Sequence, residues 1–454
     1  MGNKSSEVPD MRKSHKKQLP LCQPLPDHPK AKEMKEISHM LDQNRSIYDL
    51  VLQDISKGKS DSGAQGMTAE QVLRAALVKQ MMGFSYEELE FHLEDSVTYR
   101  WFCRFTFQDS FRKSTLNQNI KAISPETWEE VNRILLEYAK VNAIEAGREV
   151  RVDCTPVESN IHKPYDSDLL WDGVRVLTRL MDAARIECNI DFEYMNHSRA
   201  SKRRSIEIMN AKTAKRRNRK YKELLKLSNS TVEYAEGALK ALEASSSIGA
   251  EIIKNQLSHF IPLLKKVIDQ TIRRVINDEA VPASEKIFSI FEEHTDIIIK
   301  DRRDIYYGHK ICLSGGASNL ILDCQILDGN PEDSTLTKAM LERQQEIYGR
   351  SPLKVALDGG FASKENLKEA KEMGIKDVCF AKKRGLDISD MCRSEYVYKR
   401  LRNFRAGIES GISWLKRTFG LTRCLWRGLE SFKSYVWASI VSANLVTLAR
   451  HRLA

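Results

Sequence analysis

Three charged side chains of alternating sign recur at helical spacing near the end of the chain, in residues 402–420. At about 100° per residue, Arg405, Glu409 and Lys416 share one stripe of an amphipathic helix. The neighbouring apolar stripe is expected to be buried and consists of Ile408, Ile412, Leu415 and Phe419. A carboxylate between two cations at the edge of a core suits a metal-ligating acid flanked by phosphate-binding bases. The alternative is a surface helix with an ordinary Arg–Glu pair at i, i+4.

Two aspartates far upstream are candidate partners for Glu409. Asp153 ends the alternating stretch 149–153, and Asp358 follows the apolar stretch 353–357. Taken singly, each aspartate is an ordinary turn residue. Three carboxylates from two strand ends and a helix would bind hard divalent cations, Mg²⁺ or Mn²⁺. Two such ions can activate the attacking oxygen and stabilise the leaving oxygen of a phosphodiester.

Other polar residues near the first strand compete for these roles. Asp166, Asp168 and Asp172 are rival ligands, although they fall in a turn-rich segment. His162 and His309 are interpreted as polar core residues or as residues that face DNA. The motifs for a P-loop and for a GxSxG nucleophile elbow do not occur in the sequence, so the pattern favours metal-dependent chemistry over nucleotide hydrolysis or a serine nucleophile.

The elements that must position these carboxylates follow from the periodicity of the chain. Residues 149–153 alternate as a strand, and Cys154-Thr155-Pro156 predicts its end. The downstream predictions are strands at 305–313, 319–327, 353–357 and 377–381, with helices at 334–348, 363–374 and 402–420. Ser314-Gly315-Gly316-Ala317 predicts a hairpin between the first two of these strands. This order predicts an α/β fold of RNase H-like type, a mixed sheet flanked by helices.

The segments before this fold are helical or irregular. Residues 1–66 are basic, with five prolines before residue 30 and a Gly-containing link at the end, and predict a partly disordered arm. Residues 67–146 predict an all-helical DNA-binding domain. The catalytic domain is predicted at 147–165 and 301–454, with a helical, basic insertion after the first strand at 166–300.

The helical domain contains two short helices separated by Gly83, each with a capping box at its start. This arrangement resembles a helix-turn-helix, although such turns also occur where helices merely pack. The candidate DNA contacts are Arg100, Arg104, Arg112 and Lys113, interleaved with aromatic residues. The alternative is a solvated basic rim around an aromatic core.

The insertion opens on a strongly basic stretch. Residues 199–220 contain ten Lys or Arg residues against the single Glu207. The candidate phosphate contacts here are Arg203, Arg204, Arg216 and Arg217. A solvated charged face and a nuclear localisation patch are the alternatives.

Composition agrees with a nucleic-acid partner. The 454 residues carry a formal charge of +10 and a pI near 9.0, which favours nucleic acid first and an anionic membrane second. Nine scattered cysteines lack zinc-site spacing and fit a reducing compartment. The first residues lack an apolar signal segment, and the longest apolar run, 435–449, is too short to span a bilayer. We therefore expect no membrane partner and a cytoplasmic location.

Five motifs together resemble the DDE transposases of bacterial insertion sequences. They are VRVDCTPVES, YGHKICLS, NPEDS, VALDGGF and RAGIESGISWLKRTFG. The resemblance spans most of the chain outside the first 65 residues and the insertion. It implies an RNase H-like core in which Asp153, Asp358 and Glu409 are the catalytic, metal-binding triad.

The resemblance also carries the family's Arg-x3-Glu-x6-Lys signature, which falls on Arg405, Glu409 and Lys416. It implies that the two bases hold phosphates at the transposon end, and Arg423 and Arg427 are further expected contacts. The family's tyrosine three residues before the arginine is replaced by Arg402 here. The insertion after the first strand also departs from better-known members.

The sequence thus predicts a DNA transposase that cleaves transposon ends and transfers strands into target DNA with two Mg²⁺ ions, for which Mn²⁺ can substitute. The expected partners are terminal inverted repeats and target DNA, with a homodimer in the DNA complex and association with the bacterial nucleoid. The alternatives are a stand-alone metal-dependent nuclease and a non-catalytic DNA-binding descendant.

Overall fold

The computed structural model describes residues 25–57, 66–106, 108–245, 247–300 and 304–454. Within these ranges the strands are β1 (Glu149–Glu158), β2 (Asp296–Lys300), β3 (Asp304–Gly315), β4 (Ile321–Ile326), β5 (Lys354–Leu357) and β6 (Asp377–Phe380). The helices are α1 (Pro29–Gln43), α2 (Ser46–Ser56), α3 (Ala69–Met82), α4 (Tyr86–Asp95), α5 (Val97–Phe102), α6 (Lys113–Ala122), α7 (Pro125–Val141), α8 (Asp166–Glu187), α9 (Ser198–Met209), α10 (Ala214–Leu242), α11 (Ile248–Thr271), α12 (Thr337–Tyr348), α13 (Lys364–Glu372), α14 (Ile388–Met391), α15 (Glu395–Thr418) and α16 (Leu429–Leu453).

All six strands belong to one mixed sheet. Its order is β2-β3-β1-β5-β6, and β4 pairs with the second half of β3. β1 is antiparallel to β3 and parallel to β5, and β5 is parallel to β6. Helices flank the sheet, so the predicted RNase H-like mixed sheet is confirmed. The parallel pairing brings the end of β5 beside the middle of β1, where the two candidate aspartates lie.

The first strand is longer than predicted, because Pro156 does not end it. β1 continues to Glu158, and the N–H of Ser159 still donates to the carbonyl oxygen of Tyr307 at 2.9 Å. Backbone groups along an antiparallel strand alternate in direction, so Pro156 points away from β3. On that side β5 pairs only with residues Glu149–Val152. The missing N–H of Pro156 therefore faces the gap between β5 and the loop that pairs with Glu158, and it costs no ladder hydrogen bond.

β2 is a strand that the sequence reading missed. The predicted insertion ends in this short run of isoleucines, which pairs antiparallel with the first half of β3. β-branched residues in so short a run favour a strand over a helix. Elsewhere the predicted boundaries hold within about three residues, except that α15 begins at Glu395 with Ser394 as its N-cap. The predicted capping boxes at Thr68 and Ser85 are both present.

A single apolar core joins the N-terminal helices to the sheet. It runs from Met34 in α1 through α3 and α7 to the sheet, α15 and α16. Residues 29–56, placed within the predicted arm, thus form two helices that pack in this core, because their apolar residues recur at helical spacing. Residues 1–24 and 58–65 of that arm lie outside the described residues.

The insertion has a second core of its own. α8, α9, α10 and α11 pack around buried residues between Leu169 and Ile290. A π-helical turn, Ile272–Ile276, extends α11. Nowhere in the described ranges is a helix both long and apolar enough to cross a membrane.

Candidate active site

The three candidate carboxylates come from three elements and meet at one side chain. Asp153 lies on β1, Asp358 follows β5, and Glu409 lies on α15. The Arg405 guanidinium lies 3.8 Å from Asp153, 3.4 Å from Asp358 and 2.7 Å from Glu409, measured nitrogen to oxygen. The fold therefore gathers residues that are more than 250 positions apart in sequence.

The environment of the triad disfavours the ionised form of Asp153. The pKa of Asp153 is raised to about 6, chiefly by burial, and the neighbouring charge of Asp358 contributes in the same direction. The N–H of Cys154, which donates to Asp153 at 2.8 Å, and the charges of Arg405 and Lys300 act in the opposite direction. Crowded carboxylates of this kind favour a cation between them.

The position of α15 over β1 depends on Arg151 and Gly407. Arg151 donates to the carbonyl oxygen of Phe404 at 3.1 Å and lies 4.8 Å from the centre of the Phe404 ring. A Cβ at residue 407 would lie 1.7 Å from a guanidinium nitrogen of Arg151. Glycine thus allows the helix to approach the strand within one turn of Arg405 and Glu409.

The Asp358-Gly359-Gly360 turn also forms part of the cleft. Asp358 precedes a 3-10 turn, Gly359–Phe361. The two glycines allow side chains from other segments to approach the turn. A Cβ on Gly359 would lie 2.6 Å from a Lys382 carbon, and a Cβ on Gly360 would lie 2.6 Å from an Asp333 oxygen. The carboxylate of Asp358 is thereby held at the mouth of the cleft, about two-fifths exposed.

The three carboxylates are suitable ligands for a hard divalent cation, but in the structure they do not converge closely enough to coordinate one. Among the described residues, no three acidic, histidine or cysteine side chains converge closely enough to hold a metal ion. The carboxylates converge on the Arg405 guanidinium instead. A positive group already occupies the position between them, so the site fits a cation in charge and in ligand chemistry.

The cleft has a basic rim that the sequence reading did not single out. It measures about 360 Å³ and is lined by the triad aspartates, Glu409 and several cations. The cations are Lys300, Lys310, Lys382 and Arg384. Lys310 pairs with Asp333 of the NPEDS motif at 2.7 Å. Lys310 and Asp333 could have been identified from the sequence, because they lie in the YGHKICLS and NPEDS motifs.

Lys416, Arg423 and Arg427 lie beyond the triad along α15 and the loop after it. Burial is the main cause that lowers the pKa of Lys416, and the charge of Lys300 adds to it. Arg423 pairs with Glu158 at 3.4 Å, where the loop bridges to the end of β1. Arg427 is exposed and makes no ion pair with the described parts of the chain. Lys300 affects both Asp153 and Lys416, so positive charge continues from the triad along this side.

The four arginines predicted in the insertion divide into two pairs. Arg203 and Arg204 both bind Glu207 within α9, and Arg204 also binds Glu223, which joins α9 to α10. Arg216 and Arg217 are exposed in the first turn of α10, and neither forms an ion pair with a described residue. Arg216 lines an open groove with Lys215, Arg219 and Lys222. The positive end of the helix dipole adds to the charge of these side chains. The groove therefore attracts anions.

The basic residues predicted to contact DNA from the helical N-terminal part are engaged within the protein. Arg104 pairs with Asp42 and Glu70, Arg112 with Glu90, and Lys113 with Glu87. Arg100 donates to backbone carbonyls, among them that of Leu93 at 3.1 Å. Arg100 and Arg104 are therefore held by the helical unit, whereas Arg112 and Lys113 form exposed ion pairs that contribute little to its stability.

The histidines and rival acids near the first strand also have internal partners. His162 lies 2.7 Å from Asp172, and Asp166 binds Arg274 at 3.0 Å. His309 is buried and contacts His294, nitrogen to nitrogen, at 2.8 Å. Asp168 accepts from Ser205 at 2.6 Å. These residues therefore have partners within the insertion or at its junction with the sheet.

Two family models match the chain. One, described as a transposase DDE domain, matches residues 299–445, and the other, described as a transposase domain (DUF772), matches residues 27–122. The first segment contains Asp358 and Glu409, whereas Asp153 lies outside both. Comparison with curated proteins and with solved structures finds no match.

Proposed function

We propose, because this chain belongs to the DDE-type transposases of insertion sequences, that it cleaves the ends of its element and joins them to target DNA at this site. Transposases of this type act on DNA and use divalent metal ions. The observation that carries the proposal is the meeting of Asp153, Asp358 and Glu409 at one cation position.

In this proposal the three carboxylates would hold two Mg²⁺ ions, or Mn²⁺ in their place, and the ions would supply activation of the attacking oxygen of water or of a DNA 3′-hydroxyl. The basic rim of the cleft binds the phosphates on either side of the reacting bond. Asp153, whose pKa is about 6, is ionised at neutral pH and can serve as a ligand. Charge repulsion from DNA phosphates would penalise such a cluster of acids in a protein that only bound DNA.

The DNA path is proposed to follow two groups of cations, one near the triad and one on the insertion. Arg405, Lys416, Arg423 and Arg427 contact the transposon end near the triad. The groove lined by Arg216 takes a more distant part of the duplex, and the exposed Arg217 and Arg203 are proposed as further phosphate contacts. Arg204 supports this surface through Glu223. Joining two ends requires two sites, which is the basis for proposing a homodimer in the complex.

The test uses Asp153→Asn and Asp358→Asn, which remove charge with little change of shape. The substrate is a duplex that carries the repeats flanking the coding sequence, with Mg²⁺ or Mn²⁺. We expect both variants to lose cleavage while salt-sensitive binding of the duplex persists. Asp390→Asn, an exposed acid on α14, is the matched control and should retain activity.

The joining assay separates the alternatives. A supercoiled target plasmid is added, and joined products are resolved on a gel. Cleavage without joining indicates a stand-alone nuclease, and binding without either reaction indicates a non-catalytic descendant. Metal-dependent cleavage that survives in either aspartate variant would refute the triad.

A further inference from the structure

The Arg405 side chain lies where a metal ion would have to bind. Its guanidinium is within 4 Å of all three carboxylates, and the side chain is only 16 % exposed. Arginine stays protonated in proteins, so it cannot make room by losing its charge. It must move away if another cation is to take the same oxygens.

We propose that Arg405 competes with a divalent ion for the metal position: its guanidinium offsets part of the negative charge of the triad in the DNA-free protein and moves away when the ion binds. This inference rests on the proposed function, since it takes the three carboxylates as the metal ligands. It makes Arg405 a regulatory residue as well as a phosphate contact.

The energetics favour mutual exclusion. A divalent ion and a guanidinium about 4 Å apart repel each other strongly, because the energy scales with the product of their charges. The two cations therefore cannot share the pocket without a large penalty, and the three carboxylates gathered there would repel one another without a cation between them. Arg405 therefore stabilises the metal-free protein and weakens apparent metal binding by the same interaction.

DNA offers the released guanidinium a new partner. A phosphate that binds Arg405 removes it from the carboxylates, and the metal position becomes available. Because coupling between two ligands is reciprocal, metal entry must favour phosphate binding to the same extent. The ions would then be taken up preferentially once DNA is in place.

The experiment measures Mn²⁺ binding calorimetrically in the absence of DNA, so its readout is independent of catalysis. Arg405→Ala and Arg405→Gln should each bind Mn²⁺ about tenfold or more tightly than the unsubstituted protein, because the competing charge is gone. Arg402→Ala removes an equal charge from an exposed position on the same helix and should change affinity less than about twofold. The glutamine variant keeps much of the side-chain length, which guards against a folding defect in the alanine variant.

Asp153→Asn distinguishes a failure of the proposed competition from a failure of the proposed metal site. If Mn²⁺ binding is equal in the unsubstituted protein and both Arg405 variants but is lost in Asp153→Asn, the metal site stands and the competition is refuted. If Asp153→Asn binds Mn²⁺ as well as the unsubstituted protein does, the proposed metal site itself fails, and with it this inference.

Discussion

Charged side chains in this protein differ mainly in whether an opposite charge already holds them. Arg405 is held by three carboxylates, and Arg104 by two. Arg216 and Arg427 have no ion pair among the described residues. A cation that is already paired must exchange one partner for another to bind phosphate, whereas a solvated cation loses only water and counterions. The unpaired arginines are thus the better candidates for first contact with DNA.

His162 provides a pH-dependent contact at this scale. The hydrogen bond to Asp172 is the main cause that raises the pKa of His162 to about 9. Since the folded pKa lies above the unfolded value of 6.5, the protonated histidine stabilises the fold fully below pH 6.5, and this contribution is lost as pH rises through 9. His162→Gln should therefore lower the melting temperature at pH 6 and have little effect at pH 10.

The measurement is the melting temperature of both proteins across pH 6 to 10. Because His162 joins the loop after β1 to α8, the difference reports on the junction between sheet and insertion. A difference of the same size at both ends of the range would contradict the role of the charged pair.

At the scale of elements, β3 is the strand on which the sheet is assembled. Its first half pairs with β2, its second half pairs with β4, and β1 lies along its other side. Gly308 lies at the crossover, opposite both Glu158 and Asp296. A Cβ there would lie 2.0 Å from the carbonyl oxygen of Val157. The close approach of two backbones thus requires glycine at this position.

Gly308→Ala should therefore destabilise the protein, by about 3 kcal/mol or more, since the obstructing atoms are backbone and cannot rotate away. Gly237→Ala is the matched control. It lies on an exposed face of α10, with no atom within 4 Å of the added Cβ, and should stabilise by about 0.5 to 1 kcal/mol. Denaturant unfolding followed by circular dichroism measures both changes. Equal effects at the two sites would show that the strand crossing tolerates a side chain.

At the scale of the whole molecule, the N-terminal helices and the sheet form one unit around a common apolar core, and the insertion has a separate core. α16 connects the two parts of the unit. Its Asn444 is buried and bonds to both backbone groups of Ile321 and to Asn132 on α7. Gln80 on α3 similarly reaches Phe419 and Ser439. The proposed DNA-binding and catalytic segments are therefore coupled through buried polar contacts.

Asn444→Ala should destabilise this unit by roughly 2 to 4 kcal/mol, because it leaves several buried polar groups without partners. Hydrogen exchange should increase in both α7 and β4, while α8 and α11 in the insertion core keep their protection. Thr447→Ala, which removes a hydroxyl bonded to Ala443 of its own helix, is the control and should cost less than about 1 kcal/mol. Loss of protection confined to α16 would indicate that the two parts fold independently.

Local chemistry made much of this architecture predictable. Capping boxes, helix-ending glycines and strand alternation depend on neighbours within a few residues, so they located the helices and most strands. The apolar stripe of α15 is buried as expected, with Leu415 fully so. The strand–helix order then sufficed for the RNase H-like fold, since the parallel pairing of β1 with β5 follows from that order.

Only the tertiary structure decided the features that depend on distant partners. Pro156 is tolerated because β5 stops short of it, and β2 is a strand because β3 offers it an edge. Arg104 and Arg112 are paired because Asp42, Glu70 and Glu90 lie beside them in space. The sequence by itself determined which carboxylates and cations this protein has, and at what spacing. Folding decided which of those charges neutralise one another, because electrostatic energy depends on distances through space that chain separation does not specify.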